Sequence, residues 1–199
     1  APMVSTAANG LEAQGALSTM FAGLVAALRQ AEHVPFDADY RAVDGEVVTL
    51  SPFELAGPAS VLLNSADAAT LPKLNASTIN EFDVRALAAV EWEGTAPLFI
   101  VFQRVESRYV LKREPWRLMF ADGRFVRDER PGLEVAERVD ALLEGDVLYV
   151  TSWPRAHSVL DLTLWTREAT VSEMDAFFAH KKLALADGFD SEALADTVV

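Results

Sequence analysis

Val84-Arg-Ala-Leu-Ala-Ala-Val-Glu-Trp92 and Leu98-Phe-Ile-Val-Phe-Gln-Arg-Val105, joined by Glu93-Gly-Thr-Ala-Pro97, decide the fold. β-branched and aromatic residues recur in both runs, and the residues between them carry the Gly and Pro of a hairpin loop. Leu98-Phe-Ile-Val-Phe102 is apolar at every position. That pattern predicts a central strand covered on both sides, with Phe99, Ile100, Val101 and Phe102 almost fully buried.

Outward from this pair, Leu118-Met-Phe-Ala121 and Arg124-Phe-Val-Arg127 flank Asp122-Gly123. Asp-Gly between two strands signals a two-residue type I′ turn, which sets Phe120 opposite Phe125, Leu118 opposite Arg127 and Arg117 opposite Asp128. A third hairpin is predicted from Val135–Leu143, the turn Glu144-Gly-Asp146 and Val147–Val150. Successive hairpins imply an antiparallel meander over about 84–150 rather than a doubly wound sheet. Upstream, Glu46–Leu50 reads as a short strand after Asp44-Gly45, and Ser65–Leu71 as a helical turn or two before Pro72. Asn9 with Glu12 forms a capping box for a helix over 11–32, whose Leu17, Met20, Phe21, Leu24 and Leu28 share a face until Pro35 stops it. After Pro154 the pattern is helical again. Ser172 with Asp175 caps a helix holding Met174, Phe177 and Phe178, and a last one follows Asp190-Ser191. The expectation is therefore a single α+β domain over 1–199, with a helical start at about 9–33, the meander at 84–150 and a helical end at 158–199.

The chain has 199 residues, 51% of them hydrophobic, enough for a sizeable core and too many for global disorder. It contains no cysteine, which excludes disulfides, thiolate metal sites and cysteine nucleophiles and suits a reducing cytoplasm. The longest nearly uncharged stretch, Gly10–Leu28, has helical apolar spacing and reads as a packed helix, so no membrane insertion is expected. Ala1-Pro2 ahead of Met3 reads as a vector scar before a native initiator. Ala193–Val199 reads as either a natural terminus or a truncated edge.

His33, His157 and His180 stand at no metal-ligand spacing to one another. The turn glycines form no phosphate loop, and no Gly-x-Ser-x-Gly elbow is present. Asp83, Glu91 and Glu93 loosely suggest a nuclease holding Mg²⁺, but the lysine expected just after the second acid is missing. No catalytic residue, cofactor or metal is expected.

Charge is the most distinctive feature. The net charge is −13, which opposes attraction of the whole surface to a polyanion. Between Arg104 and Arg130, however, eight basic residues face five acidic ones, a local +3 that leaves −16 for the rest. Two readings stay open. The basic side chains could pair with Glu106, Glu114, Asp122 and Asp128 on a solvated face. Alternatively, Arg108, Lys112, Arg113, Arg117 and Arg124 form a phosphate-binding stripe, with Tyr109, Trp116 and Phe120 as stacking or wedge residues. Seven of the eight are arginine, which suits bidentate phosphate recognition.

Several segments carry a resemblance. Ala96-Pro-Leu-Phe-Ile-Val-Phe-Gln-Arg104, Leu111-Lys-Arg-Glu-Pro-Trp116, Asp122-Gly-Arg-Phe125 and Val139-Asp-Ala-Leu-Leu-Glu-Gly-Asp-Val-Leu-Tyr-Val150 resemble the KwaB-like proteins of the Kiwa bacterial anti-phage defence system, over roughly 85–180. Where that family would show Asn-x-x-x-Phe-Glu after the tyrosine strand, this chain has Ser152-Trp-Pro-Arg-Ala-His157. The resemblance implies a cytoplasmic, non-catalytic DNA-binding subunit beside a membrane-embedded partner, and no catalytic residue is carried over from it. The alternative, from charge alone, is an acidic protein-interaction or immunity-type module binding a basic protein. A homo-oligomer is compatible with either.

Overall fold

The computed structural model describes residues 6–7, 11–37, 45–74, 84–111, 117–121, 123–128 and 132–166. The chain divides into two compact units, Ala1–Asp161 and Leu162–Val199. In the second, the described part is Leu162–Thr166, with a 3-10 turn at Thr163–Trp165; the helices expected from Ser172 and Asp190 lie outside the described residues.

The first unit holds all the described strands: β1 Thr6–Ala7, β2 Glu32–Pro35, β3 Glu46–Leu50, β4 Lys73–Leu74, β5 Ala86–Glu93, β6 Ala96–Arg104, β7 Val110–Leu111, β8 Arg117–Ala121, β9 Arg124–Asp128, β10 Gly132–Leu133, β11 Ala141–Glu144 and β12 Val147–Val150. Its helices are α1 Leu11–Gln30, α2 Ser65–Ala69 and α3 Trp153–His157. The α+β class is as expected, with an N-terminal helix and a mostly antiparallel six-stranded sheet in the order β2-β3-β12-β11-β6-β5.

The sheet departs from the expected meander in three ways. It recruits β3, and also β2, which pairs parallel with β3 although the sequence predicts helix up to residue 32. The helix ends at Gln30 because the backbone of Glu32–Pro35 finds partners along Glu46–Thr49. Pro35 is tolerated because β2 is an edge strand. Second, β6 pairs directly with β11, so the described strands between them, β7 to β10, stand outside the sheet. Third, the strand expected from Val135 begins only at Ala141.

The β5–β6 turn is also tighter than expected. Gly94-Thr95 turn the chain, with Gly94 at φ +64°, and Pro97 falls inside β6 where the register shifts beside Trp92. It fits there because β11 pairs only with Ile100–Phe102 of β6.

Register explains the core. Leu50, Leu148, Leu143 and Ile100 stand side by side across β3, β12, β11 and β6, and all are buried. The 3-10 turn Gly57–Leu63 and α3 also lie against β6. On the opposite face, Val47, Leu142 and Val101 pack against Phe21, Val25 and Leu28 of α1. Leu17, Met20 and Leu24, expected on the same stripe, flank that core and are half-buried. Val25 takes the central place because Phe21, Val25 and Leu28 fall on one line of the helix, at i, i+4 and i+7. Burying each such side chain stabilises the fold by roughly 1.5–3 kcal/mol. Of the run read as fully buried, Ile100, Val101 and Phe102 are, whereas Phe99 is half-buried and Leu98 is 44% exposed. Leu98 and Phe99 lie beyond the end of β11, which pairs only with Ile100–Phe102, so that end of β6 lacks its neighbour on one side.

Candidate nucleic-acid interface

The insertion between β6 and β11 holds the basic stretch, and its pairing is nested. Leu111 pairs with Gly132 and Val110 with Leu133, and further out Arg117 pairs with Asp128 and Ala121 with Arg124. Two antiparallel ladders on the same two chain segments make a β-arm. Leu118 stands opposite Arg127 and Phe120 opposite Phe125, the register that Asp122-Gly123 predicts. Gly123 has φ +75°, a conformation that costs glycine little and an L side chain considerably more.

The five candidate phosphate ligands distribute as follows. Arg117 and Arg124 lie on the two strands of the arm, Arg117 in register with Asp128 and Arg124 with its side chain exposed. Phe125, next to Arg124, is 67% exposed. Arg108 lies in the 3-10 turn Ser107–Tyr109 below the arm and forms an ion pair with Glu106 at 2.8 Å. Pairing and exposure thus coexist, since the Arg108 side chain remains 69% exposed. Lys112, Arg113 and Trp116 lie outside the described residues, as do Asn9 and Asp83. Glu91 and Glu93 are both exposed on β5, astride its register shift, and no group of metal-ligating side chains occurs among the described residues.

The root of the arm holds residues that the sequence analysis did not single out as a site. Gln103 and Asp140 are buried, at 2% and 1% exposure. The Gln103 amide donates to the carbonyls of Ala136 and Arg138 at 2.7 and 2.8 Å, and its oxygen accepts from the Ala136 N–H at 3.3 Å. It therefore does for the returning segment what a neighbouring strand would do. The Asp140 carboxylate accepts from the Arg104 N–H at 2.6 Å through Oδ2, and from Arg138 Nε at 3.2 Å through Oδ1. Arg138 Nη2 continues to the Arg104 carbonyl at 2.8 Å. Arg155, on α3, reaches the same Oδ1 at 3.8 Å. An acid between Val139 and Ala141, at the start of an apolar run, was the available signal, but its arginine partners are 2 and 15 residues away and only the fold brings the second one near.

No family model, curated protein or solved structure matches the chain. No helix among the described residues is long and apolar enough to cross a membrane.

Proposed function

We propose that this chain is a non-catalytic nucleic-acid-binding protein whose β-arm enters a groove of the duplex. The observation that carries the reading is the arm itself. Charge reverses sign in this chain between 104 and 130, and within that stretch Arg117–Ala121 and Arg124–Asp128 form a two-stranded ribbon outside the six-stranded sheet, with Arg124 and Phe125 exposed beside its turn. A two-stranded ribbon fits the major groove of B-form DNA, and arginine reads phosphates and base edges bidentately. The acidic remainder opposes a polyanion, so contact is confined to the arm and its root.

The resemblance to KwaB-like proteins supports a cytoplasmic role in anti-phage defence beside a membrane-embedded subunit. A second reading rests on the −16 carried outside the basic stretch: those surfaces suit a basic protein partner.

Fluorescence anisotropy on two duplexes of unrelated sequence, at 50 and 200 mM salt, tests the first reading. Phosphate-driven binding weakens steeply with salt. Arg124→Ala combined with Phe125→Ala should weaken it on both duplexes. Equal affinity of parent and variant would rule out the arm as the contact.

A further inference from the structure

We infer that Arg104 and Arg155, at the root of the arm, form a second phosphate contact that grips the nucleic-acid backbone while the arm occupies the groove. The inference rests on the nucleic-acid reading above and adds a site to it.

The root of the arm holds surplus positive charge in place. Asp140 is 1% exposed, and its carboxylate already has its partners: the Arg104 N–H on one oxygen and Arg138 on the other. Arg138 is likewise committed, to Asp140 and to the Arg104 carbonyl. Arg155 approaches the same oxygen at 3.8 Å, close enough for attraction and too far for a hydrogen bond. Among the described residues its guanidinium makes no hydrogen bond, and the side chain is 43% exposed. The Arg104 side chain is exposed and also makes no bond among the described residues, although its backbone is fixed on both sides by Asp140 and Arg138. Two guanidinium groups, those of Arg138 and Arg155, face one carboxylate and leave a local excess of positive charge on a chain of −13, and the exposed Arg104 side chain branches from the backbone that the same carboxylate holds.

Their supports are rigid. Arg104 ends a paired strand, and α3 is held by Trp153, which stacks on Phe36 with ring centroids 5.1 Å apart. α3 also lies against β6, the strand that carries Arg104. Arginines with open donors on fixed elements bind a phosphodiester with little ordering cost, because the geometry exists before the ligand arrives. Asp140 then serves as a positioning residue, the buried anion that keeps the cluster at the end of the sheet.

The test uses the full chain and a fluorescein-labelled 24-base-pair duplex. Arg104→Gln combined with Arg155→Gln should weaken binding severalfold on unrelated sequences and reduce the slope of log affinity against log salt by about 1.8, two phosphates at about 0.9 each. Arg155→Lys, which keeps the charge, should restore part of the loss. In the unmodified protein, phenylglyoxal labelling mapped by mass spectrometry should show Arg104 and Arg155 protected by duplex, a readout that does not depend on how the variants fold. If the double variant keeps the parent slope and neither arginine is protected, while Arg124→Ala with Phe125→Ala loses binding, the root site is refuted and the arm reading stands. If only the root variant loses binding, the root site stands and the arm reading falls. If the parent binds no duplex at 50 mM salt, both fall.

Discussion

At the scale of single residues, two buried polar side chains hold the arm to the sheet. Asp140→Ala removes the acceptor of the Arg104 N–H and leaves Arg138 and Arg155 without their common anion. Breaking a buried charged pair from one side costs about 3–5 kcal/mol, so urea denaturation should show a loss of that order. Asp140→Asn keeps an oxygen for the Arg104 N–H and should cost less. Gln103→Leu preserves most of the volume but orphans two carbonyls and an N–H of the 136–138 segment. The same measurement should give a destabilisation of about 1–3 kcal/mol at least, and near-parent stability would show that water replaces the amide. These residues were not legible as a site because most of their partners are backbone groups more than 30 positions away. Sequence identifies an amide and an acid, and only the meeting of two chain segments says what they bind.

At the scale of elements, the turns were legible and their consequences separate cleanly. Gly94 and Gly123 both have positive φ, and a Cβ at either would meet no neighbour within 4 Å. A substitution there therefore introduces backbone strain alone, about 1–2 kcal/mol for a side chain in the left-handed region. Gly94→Val strains the β5–β6 turn within the sheet and should lower the midpoint of global unfolding. Gly123→Val strains only the arm, and should weaken duplex binding while leaving that midpoint almost unchanged. Equal effects on stability would show that arm and sheet unfold as one. The arm's register followed from Asp122-Gly123 because a two-residue turn fixes every pair beyond it. The helix stripe was less well read. Periodicity marks a face about 100° wide, and which of its residues lies deepest depends on the strand side chains beneath it.

At the scale of the whole molecule, the arm is an insertion between two strands that pair with each other. The sheet's own contacts, Ala141–Leu143 with Ile100–Phe102, do not pass through it. Replacing residues 110–133 by a short Gly-Ser loop should thus leave a cooperatively unfolding protein with the parent's strand signal in circular dichroism. Loop closure changes by only about 0.6 kcal/mol for each doubling of length, so shortening it does not threaten the fold. Duplex binding should fall to the level that the root site alone supports. An unfolded product would mean that the arm belongs to the folding unit.

By itself, the sequence determined what local chemistry determines: the α+β class, the strands in the two tight hairpins, the register of the arm and the reversal of charge that marks it. Periodicity, turn residues and charge are written in neighbouring positions, and the forces behind them act over a few residues. Only the tertiary structure decided that β6 lies beside β11, that β2 joins β3 in parallel and that β8 and β9 of the basic stretch stand outside the sheet rather than within a continuous meander. It also decided that the Arg104 N–H and the side chains of Arg138 and Arg155 meet one buried carboxylate. Pairings of that kind are chosen by which apolar rows cover one another most completely. Leu50, Leu148, Leu143 and Ile100 form their row by aligning four strands drawn from a span of about a hundred residues, and no short window of sequence contains that choice.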